Sequence, residues 1–178
     1  MIFLNECQER TFFSCVDNPD DSNIMKVSND TLRGDAMVYT NYRIESLAEV
    51  KTYLDRLKYA IKNGTQIRLQ KLRNVDNCKP VQYTNEYALN MLFPDENPVD
   101  ALKRELLRLE PQHYLRTVKD IRFPNRSEMR EFGMVYPINQ EVYIKIRTEL
   151  CTSGGHDVFV MSYHFAEIPF VKETFPYR

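Results

Sequence analysis

Leu47, Val50, Leu54, Leu57 and Ile61 fall three or four positions apart, while Lys51, Arg56, Lys58 and Lys62 lie off that stripe. Such spacing gathers the apolar side chains on one face of an α-helix. Ser46 and Glu49 in front of it read as a capping box, in which hydroxyl and carboxylate satisfy two orphan backbone N–H groups. Asn63-Gly64 reads as the stop. The pattern therefore predicts a helix over 47–62. TNEYALNML (84–92) predicts a second helix, capped by Thr84 or Asn85. A third is predicted to begin at Pro98 behind an Asn97 cap, with Val99, Leu102, Leu106 and Leu109 on one face. A further short helix is expected after Pro111, over PQHYLRTVKDI, and a loop or broken helix over FPNRSEMREFG (123–133).

Elsewhere the period shortens to two. QIRLQKL (66–72) predicts a short strand, and MVYP (134–137), EVYIKIRTEL (141–150) and HDVFVMSYHF (156–165) predict three more. Ser-Gly-Gly between the last two makes them a hairpin. In 141–150, Val142, Ile144 and Ile146 point one way and Tyr143, Lys145 and Arg147 the other. The 156–165 strand is apolar on both faces, as an inner strand is. Helices followed by a run of strands predict an α+β fold, with N-terminal helices packed on a small antiparallel sheet that ends in a C-terminal hairpin.

Residues 1–42 break the pattern. They read as an irregular or strand-rich extension, in which DNPDDSN (17–23) is loop-forming and AMVYT (36–40) reads as a short strand. The segment holds three basic and seven acidic residues, a net of −4, whereas the rest of the chain holds 21 and 18, a net of +3. The expected organisation is an acidic N-terminal extension over 1–42 and one α+β domain over 43–178. A hydrophobic content of 43% over 178 residues is enough for an ordinary core. No apolar run approaches the length of a membrane span, and MIFLNECQERTFF lacks the basic and apolar regions of a secretory signal. Cys7, Cys15, Cys78 and Cys151 form no CxxC pair and there are three histidines, so neither a zinc site nor any other cofactor is expected. Free thiols suit a cytoplasmic location.

Two stretches carry candidate chemistry. Residues 103–130 hold eight basic and four acidic side chains, with Tyr114 and Phe123 among them. Cations interleaved with aromatics suit an unpaired nucleic-acid strand, although a solvated helix face with a basic bias would look the same. The second stretch is the polar face of the hairpin. Tyr143, Lys145 and Arg147 would lie beside the neighbouring strand's Ser162, Tyr163 and His164. An imidazole, a phenol and two cations are sufficient for metal-independent RNA cleavage, which needs proton transfer and a phosphate held by positive charge. Solvated Lys145 and Arg147 and a His164 that merely ends a core strand would explain the same residues.

The segments LAEVKTYLDRLKYAIKNGTQIR, TNEYALNML, ELLRLEPQHYLRTV, MVYPINQEVYIKI and VFVMSYHFAE, spread over about 47–166, resemble the motility quorum-sensing regulator toxins. These are a branch of the RelE-like bacterial mRNA interferases. The resemblance implies a toxin-antitoxin endoribonuclease that cuts single-stranded RNA without a metal and is silenced by an antitoxin protein. Carried over by position, it makes Arg116, Tyr143 and His164 the catalytic candidates, His164 standing where the family has lysine. The family's glutamine before Val-Tyr has no counterpart, since this chain reads EFGMVY. Lys145, Arg147, Lys119, Arg122 and Arg130 are the expected RNA-phosphate ligands. Two rival expectations stand beside this one. The chain could be a non-catalytic protein-binding inhibitor, of the kind a phage encodes, of a bacterial nucleic-acid-handling or defence nuclease, its acidic head mimicking phosphates. It could also be an inactive RNA-binding relative.

Overall fold

The computed structural model describes residues 41–71, 80–120, 125–150 and 156–178, so all of the acidic extension but residues 41–42, and its expected 36–40 strand, lie outside the described residues. Six strands make one sheet: β1 (Tyr42–Arg43), β2 (Gln66–Leu69), β3 (Tyr114–Val118), β4 (Met129–Tyr136), β5 (Gln140–Leu150) and β6 (His156–Phe165). Their spatial order is β1-β3-β4-β5-β6-β2. Neighbours are antiparallel except β2, which joins β6 in parallel. The fold is α+β with a mostly antiparallel sheet, and β6 is an inner strand between β5 and β2.

Helices α1 (Leu47–Lys62), α2 (Asn85–Leu92) and α3 (Pro98–Leu107) follow the apolar periodicity. The Ser46–Glu49 capping box forms, and Asn97 accepts N–H bonds from Val99 and Asp100 behind Pro98. Val50, Leu54, Leu57 and Ile61 are buried, whereas Leu47 in the first turn is exposed and Tyr53 joins the buried face instead. They meet Phe132, Met134, Val142, Ile144, Ile146, Val158 and Val160 on one face of the sheet to form the core. No described helix is long and apolar enough to cross a membrane.

Two expectations are corrected. Among the described residues of the expected 111–121 helix, 111–120 form none: a single 3-10 turn, Pro111–His113, leads directly into β3. Tyr114, Thr117 and Val118 favour strand, and the pairing of β3 with β1 on one side and β4 on the other uses backbone groups that a helix would leave unpaired. Likewise β4 begins at Met129, five residues earlier than the expected 134, because residues 129–133 continue the ladder with β3 and β5.

The second sheet face is crossed by the segment after β6. Phe170 and Phe175 lie against Gly133, where a Cβ would sit 2.7 Å from the Phe170 ring. The Phe170 N–H donates to Glu141 Oε2 at 2.7 Å, and the Tyr177 hydroxyl donates to the Glu45 carbonyl. Between this crossing segment and β1 a cleft of about 750 Å³ remains open.

Candidate functional site

Strand alternation decides which side chains reach the cleft. On β5, Tyr143 and Lys145 point away from the helices because Val142, Ile144 and Ile146 point toward them. The ladder sets Tyr143 opposite Gly133 and His164, and Lys145 opposite Glu131 and Ser162. A bulge on β6 at Met161 shifts the register between Lys145 and Ile146, which places both Ser162 and His164 on the cleft side. Arg116 follows a second irregularity in β3 and pairs with Glu131. Arg116, Glu131, Tyr143, Lys145, Ser162 and His164 therefore line one cleft, with Tyr42 and Ile44 at one side and residues 166–174 at the other.

Glu131 is the centre of this arrangement. Its residue is 3% exposed, yet it is a carboxylate. Arg116 Nε lies 2.7 Å from Oε2 and Lys145 Nζ 3.2 Å from Oε1, and the Tyr143 hydroxyl also hydrogen-bonds the carboxylate. Burial pushes its pKa up, but the Tyr143 hydroxyl and the Arg116 and Lys145 charges outweigh that and hold it below the usual carboxylate value. Burial in turn opposes the charge on Arg116, and the Glu131 carboxylate overcomes it, raising the guanidinium's pKa. One buried anion thus fixes two cations and a phenol as neighbours.

His164 sits beside that group. Its ring centroid is 5.5 Å from that of Tyr143, tilted 38°. Nδ1 lies 2.9 Å from its own strand's Phe165 carbonyl. A carbonyl only accepts, so Nδ1 is the donor in this contact and carries a hydrogen.

The expected site residues divide sharply. Arg116, Tyr143, Lys145 and His164 come together. Arg130 does not join them: it faces the helices, makes a bidentate pair with buried Glu45 (Nε–Oε2 3.0 Å, Nη2–Oε1 2.7 Å), and stands 4.0 Å over the Tyr53 ring. Arg147 shares the cleft face but packs farther along β5, 4.9 Å over Phe159 and 2.9 Å from Glu149 Oε1. Lys119 donates to the Arg126 carbonyl at 2.7 Å, outside the cleft. Arg122 lies outside the described residues. Sequence reasoning missed Glu131. The signal was a lone acid in MREFGM, a stretch read as loop or broken helix, so its alternation with Phe132 had no meaning until the strand was seen.

No protein-family model matches the chain, and no curated protein or solved structure matches it either.

Proposed function

We propose that this cleft is the active site of a toxin-type, metal-independent endoribonuclease acting on single-stranded RNA. One observation carries the reading: Arg116, Tyr143, Lys145 and His164, from three strands, converge on one cleft around one buried carboxylate. Arg116 and Lys145 hold the scissile phosphate and stabilise the charge that builds on phosphorus. Tyr143 orients the ribose. The 2′-oxygen attacks phosphorus, the bond to the 5′-oxygen breaks, and a 2′,3′-cyclic phosphate and a 5′-hydroxyl result. His164 Nε2 carries a proton in this exchange, from the 2′-hydroxyl or to the leaving oxygen. The test is a gel: long unstructured RNA in excess EDTA with the wild type or His164→Ala. Cleavage about a hundredfold slower in the variant supports the assignment. Equal cleavage by both removes His164 from the chemistry, and intact RNA with the wild type counts against the enzyme.

A second reading is a non-catalytic protein-binding module. It draws on the charges that line the cleft: Glu131, Glu167 and Glu173 against Arg116 and Lys145, one negative charge in excess while His164 is neutral. An RNA site with that lining must hold phosphate locally, at the two cations, rather than through a basic field. A partner protein that binds in the cleft and leaves RNA unbound would favour the second reading.

A further inference from the structure

The rim of the cleft is as distinctive as its floor. Four large apolar side chains on it are open to solvent: Tyr42 at 44%, Ile44 at 51%, Ile168 at 79% and Val171 at 59% relative exposure. Single exposed apolar residues are ordinary, but several around one cleft mark a surface that is covered when a ligand binds. They stand directly beside the cations. The Arg116 guanidinium carbon is 5.0 Å from the centroid of the Tyr42 ring, and Arg116 reaches Glu131 through Nε, so among the described residues the ends of its fork can turn to a second acceptor. An aromatic ring touching a phosphate ligand matches the build of a nucleotide, in which one ribose separates phosphate from base.

We propose that the rim formed by Tyr42, Ile44, Ile168 and Val171 is a seat for one unpaired nucleobase next to the phosphate held by Arg116 and Lys145, with Tyr42 as the stacking platform. The inference rests on the phosphate seat proposed above and narrows its substrate. A base inside an A-form duplex has both faces covered by its neighbours, so only a base splayed out of a single strand, loop or bulge can reach Tyr42. Stacking is tolerant of base identity, so the seat selects for unpaired structure more than for sequence. The ring is well placed for this task. Tyr42 lies on the edge strand β1, opposite Val118 of β3, so no described strand covers its outer side.

The experiment measures binding rather than cleavage. The ligand is an uncleavable 2′-O-methyl hexanucleotide, made intact and as six variants with one base removed at a time. Each is titrated against the wild-type protein, Tyr42→Ala, Tyr42→Leu, Tyr42→Phe, and the Arg116→Gln/Lys145→Gln double variant. The expected result is one ligand position at which loss of the base weakens binding about five- to hundredfold. At that position Tyr42→Ala and Tyr42→Leu add no further loss, because ring and base are two halves of one contact. Tyr42→Phe binds like the wild type. Tyr42→Leu keeps the apolar rim without the ring, so a loss it shares with Tyr42→Ala is a loss of stacking and not of folding. The inference is overturned if no abasic position matters, or if base removal and Tyr42→Ala multiply. Binding that depends on the two cations but not on Tyr42 removes the base seat alone. Binding that ignores the cations removes the phosphate seat and the base seat together. A protein segment that needs Tyr42 while the oligonucleotide does not would assign the rim to a protein instead.

Discussion

Replacing Glu131 by Gln removes the negative charge from between Arg116 and Lys145 and leaves the side chain's shape. Two opposite effects are expected. Hydrogen bonds to a charged partner contribute about 1 kcal/mol more than neutral ones. The Arg116 contact is discounted because its side chain is 46% exposed, against 23% for Lys145. Together the two contacts lose about 1.5 kcal/mol, and the easier burial of an amide returns part of it, leaving a destabilisation of about 1 kcal/mol. That corresponds to about 2–4 °C in melting temperature. RNA should respond the other way. A unit charge about 6 Å from a phosphate is worth between about 0.7 and 2.8 kcal/mol for effective dielectrics of about 80 and 20, so the variant should bind single-stranded RNA about three- to hundredfold more tightly. A thermal melt and fluorescence anisotropy with an uncleavable oligonucleotide read the two quantities. The melt has a pH signature as well. The folded carboxyl titrates below its ordinary value of 4.5, so its stabilisation is present above that pH and is lost as pH falls through the lowered value. Glu131→Gln should lack this part of the acid limb. A variant that binds RNA more weakly than the wild type would refute the phosphate seat.

Other variants separate the roles of neighbouring residues. Gly133→Val should push the Phe170 and Phe175 rings off the sheet, cost about 1–3 kcal/mol in urea unfolding, and weaken oligonucleotide binding by opening one wall of the cleft. Arg130→Met should cost about 1–3 kcal/mol, because buried Glu45 loses a bidentate partner and keeps only half-exposed Arg43, yet leave RNA affinity unchanged because it acts on the other sheet face. Arg116→Gln should reduce the slope of log affinity against log salt by about 0.7, the single-strand value for one phosphate contact, while Arg147→Gln should not. An equal loss from Arg147→Gln would extend the phosphate track along β5.

What the sequence makes legible depends on how local the cause is. The capping box, the apolar stripe of α1 and the Asn63-Gly64 stop lie within one segment, and the helix forms where they say. The β5–β6 hairpin announces itself by alternation, which also put Tyr143 and Lys145 on one face. The identity of β3 does not lie in its own five residues alone: Tyr114–Val118 leans toward strand but is short, and its two flanking strands decide its state. The same holds for the site. Arg116, Tyr143, Lys145 and His164 could be named from residue type and resemblance, but Glu131 acquires its meaning only through a register that sets it opposite Lys145. Arg130 and Arg147 show the reverse. Counting charges marks them as ligands for phosphate, and only the folded chain shows that Glu45, Tyr53, Glu149 and Phe159 already hold them.

The first strand has a consequence for the order in which the molecule comes together. β1 is two residues long and cannot hold itself in place. Its surroundings are fastened by Tyr114, reached across 69 positions, by Glu128 and Arg130 across 85, and by Tyr177 across 132. Contacts so distant in sequence close late, because chain entropy must be given up before they form. While the chain is being made, Tyr42 and Ile44 emerge early and wait for partners that do not yet exist. The second wall of the cleft is made by residues 166–174, so a nascent or truncated chain that ends before them can own a folded core and still lack a finished site.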